Sequence, residues 1–285
     1  MDSKNKRIKQ MVKNFVMIFV PGLIVVIILT GLFLNLNIEN DKQIIKIRQQ
    51  SIGEMVTTNV YAIFEDIKSD GNIILNSSEI KNYTGNTADS NNQNELKRIF
   101  YNMMVNKRVY DSICFVSVDG YEKVRMNNTA TGTVVAADKT LQYQGDRYYV
   151  AEGMKLNPGE IYISPLDLNI VDEVVETPAK PVIRLIIPVF NDKNERQGIL
   201  ILTYLAQNML DQIKKDAKMS LTMKVFLLNE DGDYLFSENS NNDFLVMVAG
   251  QKMIPLSQEQ PEIWQTVQDN GSGYSDDGNE LSYYL

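Results

Sequence analysis

Residues Ser112–Met126 read SICFVSVDGYEKVRM. Apolar and polar side chains alternate on both sides of Asp119-Gly120, the period of a strand rather than of a helix. Asp-Gly between two such runs predicts a hairpin with a type I′ turn, which needs positive φ at both central positions. A second pair follows the same pattern: PVIRLIIPVF (Pro181–Phe190) turns through Asn191–Glu195 into GILILTY (Gly198–Tyr204). Between the pairs, Ile161-Tyr162-Ile163 reads as a short strand. Five antiparallel strands are expected, laid on one long N-terminal helix, in an α+β arrangement.

That helix is read upstream, over 36–82. Ile38, Ile45 and Ile52 are spaced by heptads, Val56, Val60, Ile63, Phe64 and Ile67 continue the apolar stripe, and no Pro interrupts it. Its stripe suits pairing with a second copy as well as packing on its own domain. Residues 82–95, NYTGNTADSNNQNE, form a polar break, and Leu96, Ile99, Phe100 and Met103 resume a helical period.

Further upstream, Phe15–Leu34 (FVMIFVPGLIVVIILTGLFL) carries no charge. Twenty residues at about 1.5 Å each match a hydrocarbon core of about 30 Å. Lys4, Lys6, Arg7, Lys9 and Lys13 precede it against Asp2 alone, so the positive-inside rule expects a cytoplasmic tail over 1–14 and residues 35–285 outside. A cleaved signal peptide is the alternative, but this run exceeds an h-region of about 7–15 residues and no small-residue cleavage site follows.

Downstream the pattern restarts. Met209–Lys218 reads as helix, Lys224–Leu228 as strand, then Asp231-Gly232 and Tyr234–Phe236; Pro261–Val267 is a short helix opened by Pro. Trp264 within it is expected in the core. Gly273–Ser275, Asp277-Gly278 and Glu280–Leu285 form a last hairpin. The second Asp-Gly hairpin makes the chain a weak tandem repeat. Units are expected over 83–205 and 206–285, the second incomplete, as in the N-terminal piece of a longer protein.

Composition removes whole classes of chemistry. With no His, there is no Ser-His-Asp triad, no His-ligated metal and no imidazole pH switch. A single Cys, Cys114, excludes an intrachain disulfide and a Cys-built zinc site. A net charge of −8 argues against nucleic acid as partner. No catalytic residue, metal ligand or cofactor is expected.

Five strings resemble the double Cache sensor domain, the extracytoplasmic PAS-like tandem of bacterial sensor kinases, diguanylate cyclases and chemoreceptors. They are YDSICFVSVDGYEKVRMN (110–127), DRYYVAEG (146–153), IYISPLDLN (161–169), KPVIRLIIPVFNDKNERQGILILTYL (180–205) and LLNEDGDYLFS (227–237). They stand in the family's order, and they are most similar to the sensor-kinase branch. The resemblance covers about residues 36–285. It implies a non-catalytic receptor region whose membrane-distal unit holds a ligand and whose long helix carries the signal towards a cytoplasmic output. The Arg-x-Trp-Tyr pattern of amino-acid-binding members is altered. Here Asp146-Arg147-Tyr148-Tyr149 places Arg one position off and Tyr for Trp, and GILILTY offers no Asp. The resemblance therefore does not extend to amino-acid sensing.

Candidate ligand-binding residues lie around the expected pocket of the first unit. Arg184, on an apolar strand, shares a face with Val182 and Ile186. A buried guanidinium there needs a partner: the carboxylate of a ligand, held bidentately, or an internal acid, Asp167 or Glu160; an exposed strand face is the remaining alternative. Arg125 is a second cation, nearer a strand end, with a solvated edge as its alternative role. Tyr148 and Tyr149 are neighbours, one available for stacking while the other packs. Asp146 is positioned to face a ligand ammonium or to cap the following segment. Tyr162 and Asp167 flank the Pro165 turn, where Asp also serves as a turn residue. Asp172–Glu176 reads as a solvated acidic loop. The function expected is a transmembrane receptor binding an unidentified small molecule, membrane-bound and homodimeric. The same fold reading a partner protein, or a membrane-anchored protein without signalling, are the alternatives.

Overall fold

The structure is a computed structural model that describes residues 2–171, 174–217, 225–236, 244, 247, 254–276 and 281–284. Parts of four expected features lie outside those residues: Lys218 and Lys224, Asp172 and Glu173 of the acidic loop, the Asp277-Gly278 turn, and Glu280 and Leu285 of the last hairpin. Two compact units divide the chain, Glu54–Asn270 and a unit combining Met1–Gly53 with Gly271–Leu285.

Helix α1 runs over Asp2–Leu75 and includes Pro21. It stops five residues before Ile80. Asn76 and Ser77 turn the chain, and the Ser77 hydroxyl accepts a bond from the Ile80 amide at 3.4 Å as the N-cap of α2 (Ser78–Gly85). Asp89 likewise caps α3 (Ser90–Lys107), accepting from Asn91 N at 2.8 Å. The expected polar break is thus two caps and the end of a short helix.

Three strands follow in a meander, β1 (Tyr110–Ser117), β2 (Glu122–Thr129) and β3 (Gly132–Val135). The third was not expected. The turn between the first two differs from the sequence reading: only Gly120 has positive φ, at 80°. Gly120 N donates to Ser117 O at 2.9 Å and Ser117 N to Tyr121 O at 3.0 Å, a three-residue loop closed by a left-handed glycine. Asp119 supports this loop by accepting from Tyr121 N and Lys123 Nζ rather than by adopting positive φ itself.

Helix α4 (Tyr148–Gly153) leads into four two-residue strands, β4 (Tyr162–Ile163), β5 (Asp167–Leu168), β6 (Ile170–Val171) and β7 (Val174–Val175). The long pair is β8 (Pro181–Phe190) and β9 (Arg196–Leu205). Its turn repeats the first geometry with Asn194 at φ 61°. The main sheet has seven strands, ordered β3-β2-β1-β9-β8-β4, with β5 also on β8. The two unforeseen members are too short or too small-sided to show a period.

Alternation along the strands sorts the core into two faces. Ile113 and Phe115, Leu185 and Ile187, Leu200 and Leu202 pack with Ile67 and Ile74 of α1 and Leu96 and Phe100 of α3. Cys114 and Val116, Ile186, Ile199 and Ile201 face the other way, against Val150 of α4. Each fully buried side chain of this kind contributes about 1.5–3 kcal/mol over leaving it in water. Because both faces are covered, β8 is buried from Pro181 to Val189.

A buried polar contact fastens α1 to the sheet. The Tyr110 hydroxyl donates to Asp70 Oδ2 at 2.6 Å, and Lys107 Nζ lies 2.8 Å from Asp70 Oδ1. Burial, then the bond to Asp70 and its charge, push the Tyr110 phenol above its ordinary value of 10.0. The raised phenol stabilises the fold fully below pH 10, and this contribution is lost as pH rises towards the folded value, because the unfolded chain releases the proton first. In alkaline titration of unfolding, Tyr110→Phe should flatten the decline above pH 10. At neutral pH it should cost about 1.5–3 kcal/mol, the worth of a hydrogen bond to a charged group. An unchanged alkaline limb would show that Tyr110 is not the titrating group.

After β9 come α5 (Gln207–Ala217), β10 (Leu227–Leu228), β11 (Tyr234–Phe236), α6 (Leu256–Glu259) and α7 (Pro261–Asn270). The β10–β11 turn has the same form as the first hairpin. Gly232 is at φ 83°, its amide donates to Asn229 O, and Asn229 N donates to Asp233 O. Trp264, expected in the core, is only half-buried on α7.

In the other unit, β12 (Gly273–Asp276) pairs with β13 (Leu281–Tyr284) beside α1. The Tyr274 hydroxyl lies 2.8 Å from Lys46 O and 3.2 Å from Gln50 Oε1. Phe15–Leu34 of α1 is exposed throughout, and this helix is apolar and long enough to cross a membrane.

Candidate ligand-binding site

The sheet face opposite α1 and α3 is roofed by α4 and the segment after it. Gly153 allows the close approach: a Cβ there would run into Ile186 Cγ2 and lie 3.2 Å from Ile199 Cδ1. This packing brings Tyr148 and Tyr149, on the first turn of α4, over the strand that carries Arg184.

Arg184 is 6% exposed. Its Nη1 donates to Asp167 Oδ1 at 2.6 Å and its Nη2 to Asn169 Oδ1 at 3.1 Å. The guanidinium carbon stands 4.6 Å from the centre of the Tyr149 ring, a cation–π arrangement. Tyr148 donates to the second carboxylate oxygen, Asp167 Oδ2, at 2.6 Å. The two tyrosine rings meet edge to face at 5.3 Å. Ser164 fixes the backbone beneath, accepting from Arg184 N at 2.9 Å while its own amide donates to Arg184 O at 2.9 Å. Tyr162 is half-buried on β4 and packs on the same apolar floor as Ile186.

Electrostatics follow from this enclosure. Burial works against the Arg184 charge, but Asp167 and the tyrosines outweigh it, so the guanidinium is held more firmly protonated than usual. Burial first, then the Asp167 bond and charge, raise the Tyr148 phenol. Burial raises Tyr149 against the opposing pull of Arg184 and Arg147. Both phenols are therefore neutral donors at physiological pH.

The cluster continues sideways. The Tyr149 hydroxyl reaches Gln144 Oε1 at 3.4 Å, and Gln144 Nε2 donates to Glu122 Oε1 at 3.1 Å. Arg125 Nη1 donates to Glu122 Oε2 at 2.6 Å, and its Nη2 donates to Thr140 O at 3.0 Å. Cys114 lies beneath, and burial followed by the Glu122 charge pushes its thiol well up, leaving it protonated and unreactive.

Of the residues singled out from the sequence, Arg184, Asp167, Tyr148, Tyr149 and Tyr162 come together. Arg125 stands at the far end of the polar chain, engaged by Glu122 rather than on a solvated edge. Asp146 is exposed in the turn before α4 and does not cap it; Arg147 holds the N-cap position without a side-chain bond. Glu160 takes no part in the Arg184 pair and accepts from Asn157 N at 2.6 Å. Sequence reasoning missed Asn169, Gln144 and Glu122, while Ser164 was placed with Tyr162 and Asp167 at the Pro165 turn. Asn169 was within reach, since alternation on an extended segment sets it beside Asp167. Glu122 had no such signal. Chemically, the arrangement offers a cation, hydroxyl donors and aromatic faces, the parts of a binding site.

Comparison with known proteins agrees with this architecture. Among solved structures, a Vibrio parahaemolyticus domain assigned to the sensory box/GGDEF family superposes with a TM-score of 0.69 at 20% identity, over 83% of this chain and 86% of that one. The extracellular domain of vpHK1S-Z8, assigned as a histidine kinase, gives 0.69 at 19% identity, over 83% and 85%. The ligand-binding domain of the Campylobacter jejuni chemoreceptor Tlp3, in complex with 4-methylisoleucine, gives 0.54 at 13% identity, over 82% of each chain. At these identities the likeness shows a shared fold. No curated protein matches the chain. The family described as "Bacterial histidine kinase, sensor domain" matches residues 46–285, which takes in the sheet with its Arg184 cluster and the chain that follows it. The double Cache resemblance therefore holds, and the chain belongs to the bacterial histidine kinase sensor domains.

Proposed function

We propose that this chain is the ligand-sensing extracytoplasmic part of a transmembrane receptor. Phe15–Leu34 crosses the bilayer once, with the basic residues 1–14 in the cytoplasm and residues 35–285 outside. Residues 83–205 form the membrane-distal unit and 206–285 the membrane-proximal one. A small molecule binds between α4 and the sheet, in the site formed by Arg184, Tyr148, Tyr149 and Tyr162 and bordered by Asp167, with Arg125 and Asp146 at the margin. The chain acts as a homodimer, and its own role is binding, with any catalytic output in a separate region.

The observation that carries this reading is the Arg184 cluster: a buried cation on the covered face of a sensor-type sheet, stacked on Tyr149 and bordered by the part-exposed Tyr148. A guanidinium so placed recognises a carboxylate or a similar anion. The neighbouring chemoreceptor domain, solved with a small ligand, supports the same use of the fold.

The test is thermal unfolding of the full chain in detergent across a panel of carboxylates, amino acids, amines and sugars. A ligand at a hundred times its dissociation constant should stabilise the fold by about 2.7 kcal/mol. A panel that shifts nothing would remove the small-molecule reading and leave a protein partner as the signal.

A further inference from the structure

The Arg184 fork is already filled. Its two terminal nitrogens end on two oxygens, Asp167 Oδ1 and Asn169 Oδ1, both supplied by one short segment. Two acceptors, one on each terminal nitrogen, reproduce what a bidentate carboxylate offers to a guanidinium. Asp167 stands opposite Val182 in the sheet, so it is a diagonal neighbour of Arg184 on the same face. Its backbone is held by the next residue, Leu168, which is 2% exposed in the core. The Asp167 side chain itself is 15% exposed and is steadied from the solvent side by Tyr148, which is 45% exposed. Other charges at this end of β8 are Lys180, paired with Asp111 and Glu176 at 3.1 and 2.6 Å. Neither of these acids accepts from the Arg184 fork, whose bonds go to Asp167 and Asn169.

Resting on the reading of Arg184 as an anion anchor, we propose that Asp167 is an internal competitor for the ligand. Its carboxylate occupies the position an incoming anion takes, and binding requires that side chain to turn away towards solvent while Leu168 keeps the strand in place. The apparent affinity for an anion is then the intrinsic affinity multiplied by the fraction of molecules with the fork vacated. Asp167 thereby sets a threshold concentration, and it also disfavours anions through its own charge.

Acetate and succinate are the probes, titrated against the full chain in detergent and followed by thermal unfolding and by binding isotherms. Asp167→Ala should bind both at least about ten-fold more tightly than the parent chain. It should also melt lower without them and recover on their addition. The recovery should vanish in Asp167→Ala/Arg184→Leu. Asp167→Asn keeps one oxygen for Arg184 and sets an amide NH2 beside the Tyr148 hydroxyl, which can accept from it, so it remains informative if the Ala variant does not fold, and it should show a smaller gain. Equal affinity of the parent chain and the Asp167 variants, dependent on Arg184, would overturn the competitor role and leave the proposed site standing. Absence of binding in every variant would remove the anion anchor and the competitor together.

Discussion

Arg184→Ala is expected to destabilise the unit by about 3–5 kcal/mol, because it removes the buried member of the pair and leaves the largely covered Asp167 carboxylate without its cation. For a unit of this size that corresponds to a fall in melting temperature of about 6–20 °C. The side chain does more than wait for a ligand: it joins β8 to the segment at Asp167 and Asn169 and underlies the Tyr149 ring. The penalty should shrink when both charges are removed. A double variant, Arg184→Met with Asp167→Leu, should melt close to the parent, since apolar replacement of both partners of a buried pair is often neutral or stabilising. A double variant no better than Arg184→Ala would mean that the loss comes from packing rather than from an orphaned carboxylate. Any loss of ligand response in Arg184→Ala has to be read against this change in stability.

The other large effect is expected at Gly198, where Ala should cost about 3 kcal/mol. The residue faces Ser117 of β1 and Val189 of β8 within the ladder. A Cβ there would run into the carbonyl oxygen of Val116 and lie 2.9 Å from Ser117 Cα. Its φ of 157° adds a backbone conformation that side chains rarely adopt. A flexible side chain can yield to a new methyl, but a main-chain carbonyl in a central strand cannot move without breaking hydrogen bonds on both sides. Gly159 supplies the contrast. It has positive φ, at 86°, with nothing within 4 Å of the added carbon, so Ala should cost only the left-handed strain of about 1–2 kcal/mol. Chemical denaturation of the two variants separates the causes; similar losses would remove the clash as the explanation.

The strands were legible where alternation was long. Ser112–Met126 and Pro181–Tyr204 became β1, β2, β8 and β9 because the two sides of the sheet differ, and a one-residue slip would exchange Leu185 and Ile187 for Ile186 and Arg184. Two-residue strands such as β5 hold too few side chains to show a period, and Gly132-Thr133 carries no apolar signal. Asp119-Gly120 announced a hairpin correctly but not its turn, since the same dipeptide serves a loop in which glycine alone is left-handed. Trp264 was judged by its apolar ring, whereas the position of α7 leaves that ring half-covered.

Composition and pattern alone determined a good deal about this protein: an uncharged run of membrane length, a long helix, an alternating sheet, and chemistry without imidazole or paired thiols. These are properties of local periodicity and of inventory, which neighbours in sequence suffice to express. The partner of Arg184 was a different matter. Asp167 and Glu160 were equal candidates on paper, and Asn169 was unseen, because proximity between segments so far apart along the chain is created only when Gly153 lets α4 settle on Ile186 and β5 pairs with β8. Burial then makes the charge demand a partner, and the fold supplies it.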